Sequence, residues 1–198
     1  MTTGICLWKG SEINQNDYSP NSSVGAERLL YGISELFKEK GISASNIKGY
    51  YASLGIAGML KDEIIKASEF VKDKINEKEQ EVYLYGYSQG GSNIVELANK
   101  LYNIGINVKL LFTVDAFNGL NNESEFLIPE NVFINYNYYQ IEPGLFRAKG
   151  GRNKAINKNL TTIKNYFIDN STHDNIDENT INYVISKINI RLKAKKDD

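Results

Sequence analysis

A serine, one imidazole and a handful of aspartates are the groups of this 198-residue chain whose types and spacing could do covalent chemistry. The serine lies in Gly86-Tyr87-Ser88-Gln89-Gly90, which follows the apolar run Val82-Tyr83-Leu84-Tyr85 and precedes a helical pattern. A Gly-x-Ser-x-Gly run between a strand and a helix is a sharp, strained turn that leaves the hydroxyl exposed at the sheet's edge. The flanking glycines carry no side chains, so the helix can pack closely on its own strand. The chemistry of such a position is nucleophilic attack, and it requires a base.

Histidine is the side chain suited to remove that proton near neutral pH, and the chain has only one. His173 falls in a polar loop after the last strand-like run and before the last helix. An imidazole used as a base needs an acid to hold its tautomer and stabilise its charged form. Asp115 fits, because it lies just beyond the apolar run 108–114 and hence on the same carboxyl edge of the sheet as Ser88. Asp169, Asp174 and Asp177 are rival acids near His173 in sequence, with Asp169 ranked first among them. Attack on an acyl carbon also needs N–H donors for the negative oxygen that develops. Gln89 supplies one amide, and the turn at Gly10 and Ser11, after Trp8, is the expected second donor.

These residues must be held by elements that the apolar pattern makes visible. Short apolar runs at 5–8, 47–52, 82–86, 108–114, 132–136 and 163–168 read as strands. Segments of helical period at 24–40, 61–78, 92–103 and 180–192 alternate with them, Gly41 and Gly105 providing helix stops. Such alternation predicts a single α/β domain over residues 1–198: a three-layer α/β/α sandwich with a mostly parallel sheet of about six strands. Residues 137–159 break the alternation. They carry Tyr138, Tyr139, Leu145, Phe146 and two consecutive glycines without a clear period, and so read as a long loop exposing aromatic groups, a candidate cover for the site. Leu54-Gly55-Ile56-Ala57-Gly58 is a second candidate wall.

Bulk composition narrows the classes of function. With 23 Lys+Arg against 24 Asp+Glu, the formal charge of −1 offers no general attraction to nucleic acid or to an anionic membrane. No apolar stretch is long enough for a membrane span, and the first ten residues lack the basic start and apolar stretch of a cleaved signal. The expectation is synthesis in the cytoplasm, with export by a signal-independent route still compatible. Cys6 has no partner for an internal disulfide, which suits a reducing compartment. One histidine and one cysteine cannot build a histidine-cysteine zinc cluster, and the carboxylates show no ligand spacing, so no metal and no cofactor is expected. The glycines 86–91 resemble neither a P-loop, lacking its spacing and lysine, nor a three-glycine dinucleotide turn.

The strand-turn-helix serine, the alternating elements and the order Ser88, Asp115, His173 together resemble the α/β-hydrolase superfamily over nearly the whole chain. The pentapeptide with Gly10-Ser11 is similar to cutinases and related small lipases, and the early Gly-Ser loop to bacterial lipase-like effector domains. The resemblance implies a serine esterase or lipase without a cofactor. Its implied triad is Ser88, His173 and Asp115, with an oxyanion hole at Gln89, Gly10 and Ser11, acting on a small-molecule or lipid ester. A thioesterase or acyltransferase on the same triad, or a binding module that keeps the fold without catalysis, are the alternatives.

Overall fold

The computed structural model describes residues 2–6, 12–13, 15–22, 24–53, 59–75, 81–118, 124–142 and 149–194. Six parallel strands carry the sheet: β1 (Thr2–Cys6), β3 (Gly49–Ser53), β4 (Tyr83–Tyr87), β5 (Val108–Val114), β7 (Val132–Tyr139) and β9 (Thr162–Phe167). A seventh, two-residue strand, β2 (Glu12–Ile13), pairs antiparallel with β3 at one edge, giving the order β2-β3-β1-β4-β5-β7-β9. The parallel sheet was legible in the apolar runs; β2 was not, because two residues make no pattern.

Four helices cover it: α1 (Gly25–Glu39), α2 (Met59–Ile75), α3 (Gln89–Asn103) and α4 (Ile176–Ala194). Apolar side chains of β5 divide between the two faces: Leu110, Phe112 and Val114 meet α1 and α4, while Leu111 and, at the strand's start, Val108 meet α2 and α3. The result is the three-layer arrangement. Phe112 is wholly buried and stacks on Tyr136, with ring centroids 5.4 Å apart. α3 rests directly on its own strand: a Cβ at Gly86 would come within 2.8 Å of the Gly91 nitrogen and closer still to the Gly90 carbonyl. Both obstacles are backbone, which cannot swing away.

Residues 137–159 depart from the long loop that the sequence suggested. β7 continues to Tyr139, and Tyr138 is buried, stacked on Tyr166 and on Tyr183 of α4. Beyond it, a short parallel pair, β6 (Leu127–Ile128) with β8 (Lys154–Ala155), lies on the α2/α3 side. Phe126 and Ile128 join the core there. Leu145 and Phe146 lie outside the described residues, as do Trp8, the wall at 54–58, the end of the second expected helix at 76–78 and the tail 195–198.

What fastens the chain around Gly151 and Asn153 is polar. The Thr113 hydroxyl donates to Asn137 Oδ1 (2.9 Å) and accepts from Asn135 Nδ2 (3.2 Å) and Asn153 Nδ2 (2.9 Å). Asn153 Nδ2 also reaches Asn135 Oδ1, and Asn153 Oδ1 accepts from the Phe126 N–H. Asn137 Nδ2 then donates to the Gly151 carbonyl (2.8 Å) and to Asn165 Oδ1 (2.7 Å). An extended segment offers backbone groups instead of an apolar helical stripe, so asparagines on the sheet are the side chains able to satisfy it.

Two stability outcomes follow from this packing. Phe112→Ala should lower unfolding free energy by about 3–5 kcal/mol in urea titrations, the cost of removing a fully buried aromatic ring. Asn153→Leu strips partners from Asn135 Oδ1 and the Phe126 N–H and should cost about 2 kcal/mol or more, whereas exposed Asn159→Leu should stay within about 0.5 kcal/mol.

Candidate functional site

Register places the rim residues at one height. Tyr87 is opposite Val114 and Val114 opposite Tyr138, so the residues that follow β4, β5 and β7 emerge side by side at the carboxyl edge. β4 also neighbours β1, from which the chain first goes out to β3 before returning on the other side. Such a reversal of strand order is the place where open parallel sheets bind ligands.

Ser88 sits at φ 53°, ψ −125°, a backbone conformation that an L-residue adopts only when its surroundings impose it. They do so from both sides. The Ser88 N–H donates to the Val114 carbonyl (3.0 Å), and the Ser88 carbonyl accepts from the N–H of Gly91 (2.9 Å) and of Phe117 (3.1 Å). Asp115 is likewise left-handed, at φ 44°, with its N–H donated to the Tyr138 carbonyl at 2.7 Å.

His173 arrives from the far edge of the sheet. Its loop leaves β9, turns at Asn170 (φ 54°) and is held by the Thr172 N–H donating to Asn175 Oδ1 (2.8 Å), and by Asn179 Nδ2 donating to the Ser171 hydroxyl. Tyr87, the residue between Gly86 and Ser88, donates its hydroxyl to the His173 carbonyl, and its ring packs 5.3 Å from the imidazole. Burial pushes the Tyr87 phenol well above its usual range, with the nearby carboxylates of Asp177, Asp115 and Asp174 adding to the effect, so it stays a neutral donor.

The three side chains meet. Ser88 Oγ lies 2.8 Å from His173 Nε2, and His173 Nδ1 lies 2.7 Å from Asp115 Oδ2. All three residues are buried, Asp115 completely. A carboxylate can only accept, so the imidazole proton on that side belongs on Nδ1, leaving the Nε2 lone pair to accept from the serine hydroxyl. Of the rival acids, Asp169 accepts from the Asn170 N–H next to it and is exposed, and Asp174 is exposed as well. Asp177 opens α4 over Gly25, its carboxyl raised by burial and only partly relieved by the Glu178 N–H, Arg28 and, more weakly, His173. Asp115 is the carboxylate bonded to the imidazole.

Two contacts to Asp115 carry no sequence signature. Gln140, buried just past β7, donates its N–H to Oδ1 (3.2 Å) and its Nε2 to Oδ2 (2.6 Å). Gly150 lies against the same carboxylate: a Cβ there would collide with Oδ1 and come within 2.9 Å of Tyr139 Cβ. A polar residue at a strand end and the first of two glycines were visible, but their target 25 or 35 positions away was not.

Gln89 begins α3 directly after Ser88, with its side chain turned along the helix to Asn93 Oδ1 at 3.2 Å. Gly10 and Ser11 lie outside the described residues. Among the described residues no cluster of three or more histidine, cysteine or acidic side chains could hold a metal, and no helix is long and apolar enough to cross a membrane.

No protein-family model matches the chain, and no curated protein matches it in sequence. Solved structures match it in shape. A protein of unknown function from Agrobacterium tumefaciens, provisionally classed as an alpha/beta hydrolase, has a TM-score of 0.52 at 13% identity, over 99% of this chain and 85% of its own. Est1E from Butyrivibrio proteoclasticus, in complex with ferulic acid, has a TM-score of 0.50 at 12% identity, over 98% of this chain and 89% of its own. At such identities the likeness is one of architecture. Together with the parallel sheet, its covering helices and the serine turn after β4, it establishes that this chain has the α/β-hydrolase fold.

Proposed function

We propose that the chain is a serine hydrolase that cleaves a carboxylic ester through Ser88, His173 and Asp115. The observation that carries this reading is the continuous line of contacts from Ser88 Oγ to His173 Nε2 at 2.8 Å and from His173 Nδ1 to Asp115 Oδ2 at 2.7 Å. These lengths suit proton transfer, and the hydroxyl, buried here rather than exposed as the sequence suggested, stands on a strained turn at the carboxyl edge of the sheet.

In the proposed cycle Ser88 Oγ attacks the acyl carbon as its proton passes to His173 Nε2. Asp115 stabilises the imidazolium without taking the proton. The tetrahedral oxygen would take a hydrogen bond from the main chain at Gln89, with Gly10 and Ser11 the second donor that the sequence suggests. Collapse expels the alcohol, which leaves with the proton from Nε2. Water then gives a proton to His173 and attacks the acyl-serine. The second collapse returns that proton to Ser88 Oγ and releases the carboxylic acid.

A fluorophosphonate should label the protein once, at Ser88, as read by intact mass. Ser88→Ala should abolish labelling, and Ser88→Ala or His173→Ala should lower kcat on a p-nitrophenyl ester by about 10^6-fold with folding retained. Asp115→Asn should cost about 10^4-fold, because an amide favours the wrong imidazole tautomer. A parent protein that is folded yet neither labels nor hydrolyses acyl esters of any chain length would leave the fold as a binding module. Thioester turnover exceeding ester turnover would reassign the leaving group.

A further inference from the structure

We propose that Gln140 is the positioning residue of this site, holding Asp115 as a fixed carboxylate and thereby setting the basicity and tautomer of His173. The inference rests on the contacts among Gln140, Asp115 and His173 and extends the hydrolase reading to a residue that touches no substrate.

Asp115 has no solvent exposure, so its charge must be met entirely by the protein. Among the described residues its side-chain oxygens have two sources of donors, His173 and Gln140. Gln140 supplies two of the three bonds, one from its main chain to Oδ1 and one from its side chain to Oδ2, the oxygen that also receives His173 Nδ1. Two bonds to different oxygens fix the rotation of the carboxyl plane. A single bond from the imidazole would leave it free to turn.

The amide's orientation points the same way. Gln140 is 1% exposed, and its buried Oε1 has no partner among the described residues. Turning the amide over would aim that oxygen at the carboxylate, acceptor against acceptor, so the side chain leaves its carbonyl unmatched in order to donate to Asp115. Gly150 closes the space beyond Oδ1, and Asn137 ties the adjoining Gly151 carbonyl to the sheet. Among the described residues the other titratable groups facing the pair are the Tyr87 phenol, which donates to the His173 carbonyl, and the carboxylates of Asp174 and Asp177 around the start of α4. None of these donates a hydrogen bond to Asp115.

The sign of the effect follows. The Gln140 side-chain amide shares the charge on Oδ2, so without it that oxygen is met by the imidazole alone, and imidazolium is favoured. In Gln140→Met, which keeps length and the main-chain N–H, the imidazole should therefore titrate at higher pH. His173 is the chain's only histidine, so nitrogen-15 NMR of the imidazole reads it without assignment. The expected rise is about one pH unit, with the Nδ1 proton resonance displaced because Oδ2 then accepts from the imidazole alone. Gln140→Glu, which places a second carboxylate against the first, should raise the midpoint further. On an ester substrate Gln140→Met should lower kcat by up to about 100-fold with a smaller change in KM, and move the acid limb of kcat/KM upward with the NMR midpoint.

An unchanged midpoint in folded Gln140→Met overturns the proposal. Should Met prove unable to fold, a midpoint in Gln140→Glu at or below that of the parent overturns it equally. A parent that ignores fluorophosphonate while Gln140→Met shifts the midpoint would sink the hydrolase reading and leave the role of Gln140 standing. The converse result would do the opposite.

Discussion

A carboxyl group shut away from water at the end of β5 is the constraint around which this molecule is arranged. Desolvating such a charge is costly unless every oxygen meets a donor, and here the donors come from two separated stretches of chain. Imidazole arrives from beyond β9, an amide and a main-chain N–H from the end of β7, and a glycine closes the remaining side. Each requires the others to be in place, so the rim behaves as one assembly.

The sheet beneath it is built asymmetrically for that purpose. One face lies under helices α1 and α4, and its buried side chains at β5 and β7 are Leu110, Phe112, Val114, Tyr136 and Tyr138. The other face is apolar only where α2 and α3 lie, and turns polar at Thr113, Asn135, Asn137 and Asn165. An apolar surface would have sufficed to bury a helix. Asparagines give the returning segment a single seating instead, because their donors and acceptors match only one register, and that seating carries Gly150 to the carboxylate.

Strain is concentrated where the proposed chemistry would occur. Ser88 and Asp115 both occupy left-handed backbone conformations at the ends of adjacent strands, and each is held there by main-chain bonds to the neighbouring strand. The close approach of α3 to β4 at Gly86 removes the slack that would let the turn relax. Tyr87 links the two halves of the site, following its strand into the core while its hydroxyl grips the histidine loop. The serine and the imidazole are thus fixed relative to one another by the residue that precedes the serine.

The six parallel strands, the four helices and the serine turn were readable in the residues themselves, because apolar periodicity and the two glycines around Ser88 are local signals. The lone histidine and the strand-ending aspartate could be named for the same reason. Residues 137–139 were misread as loop because alternating asparagines erase the apolar signal of a buried strand face, although Tyr136 and Tyr138 keep it on the other. Which acid meets the imidazole, that Gln140 and Gly150 close around it, and that Tyr87 clasps the histidine loop depended on contacts between residues 25 to 86 positions apart. No local pattern encodes such pairings. Strand register and loop seating decide them, and these exist only once the sheet has closed its polar and apolar faces together.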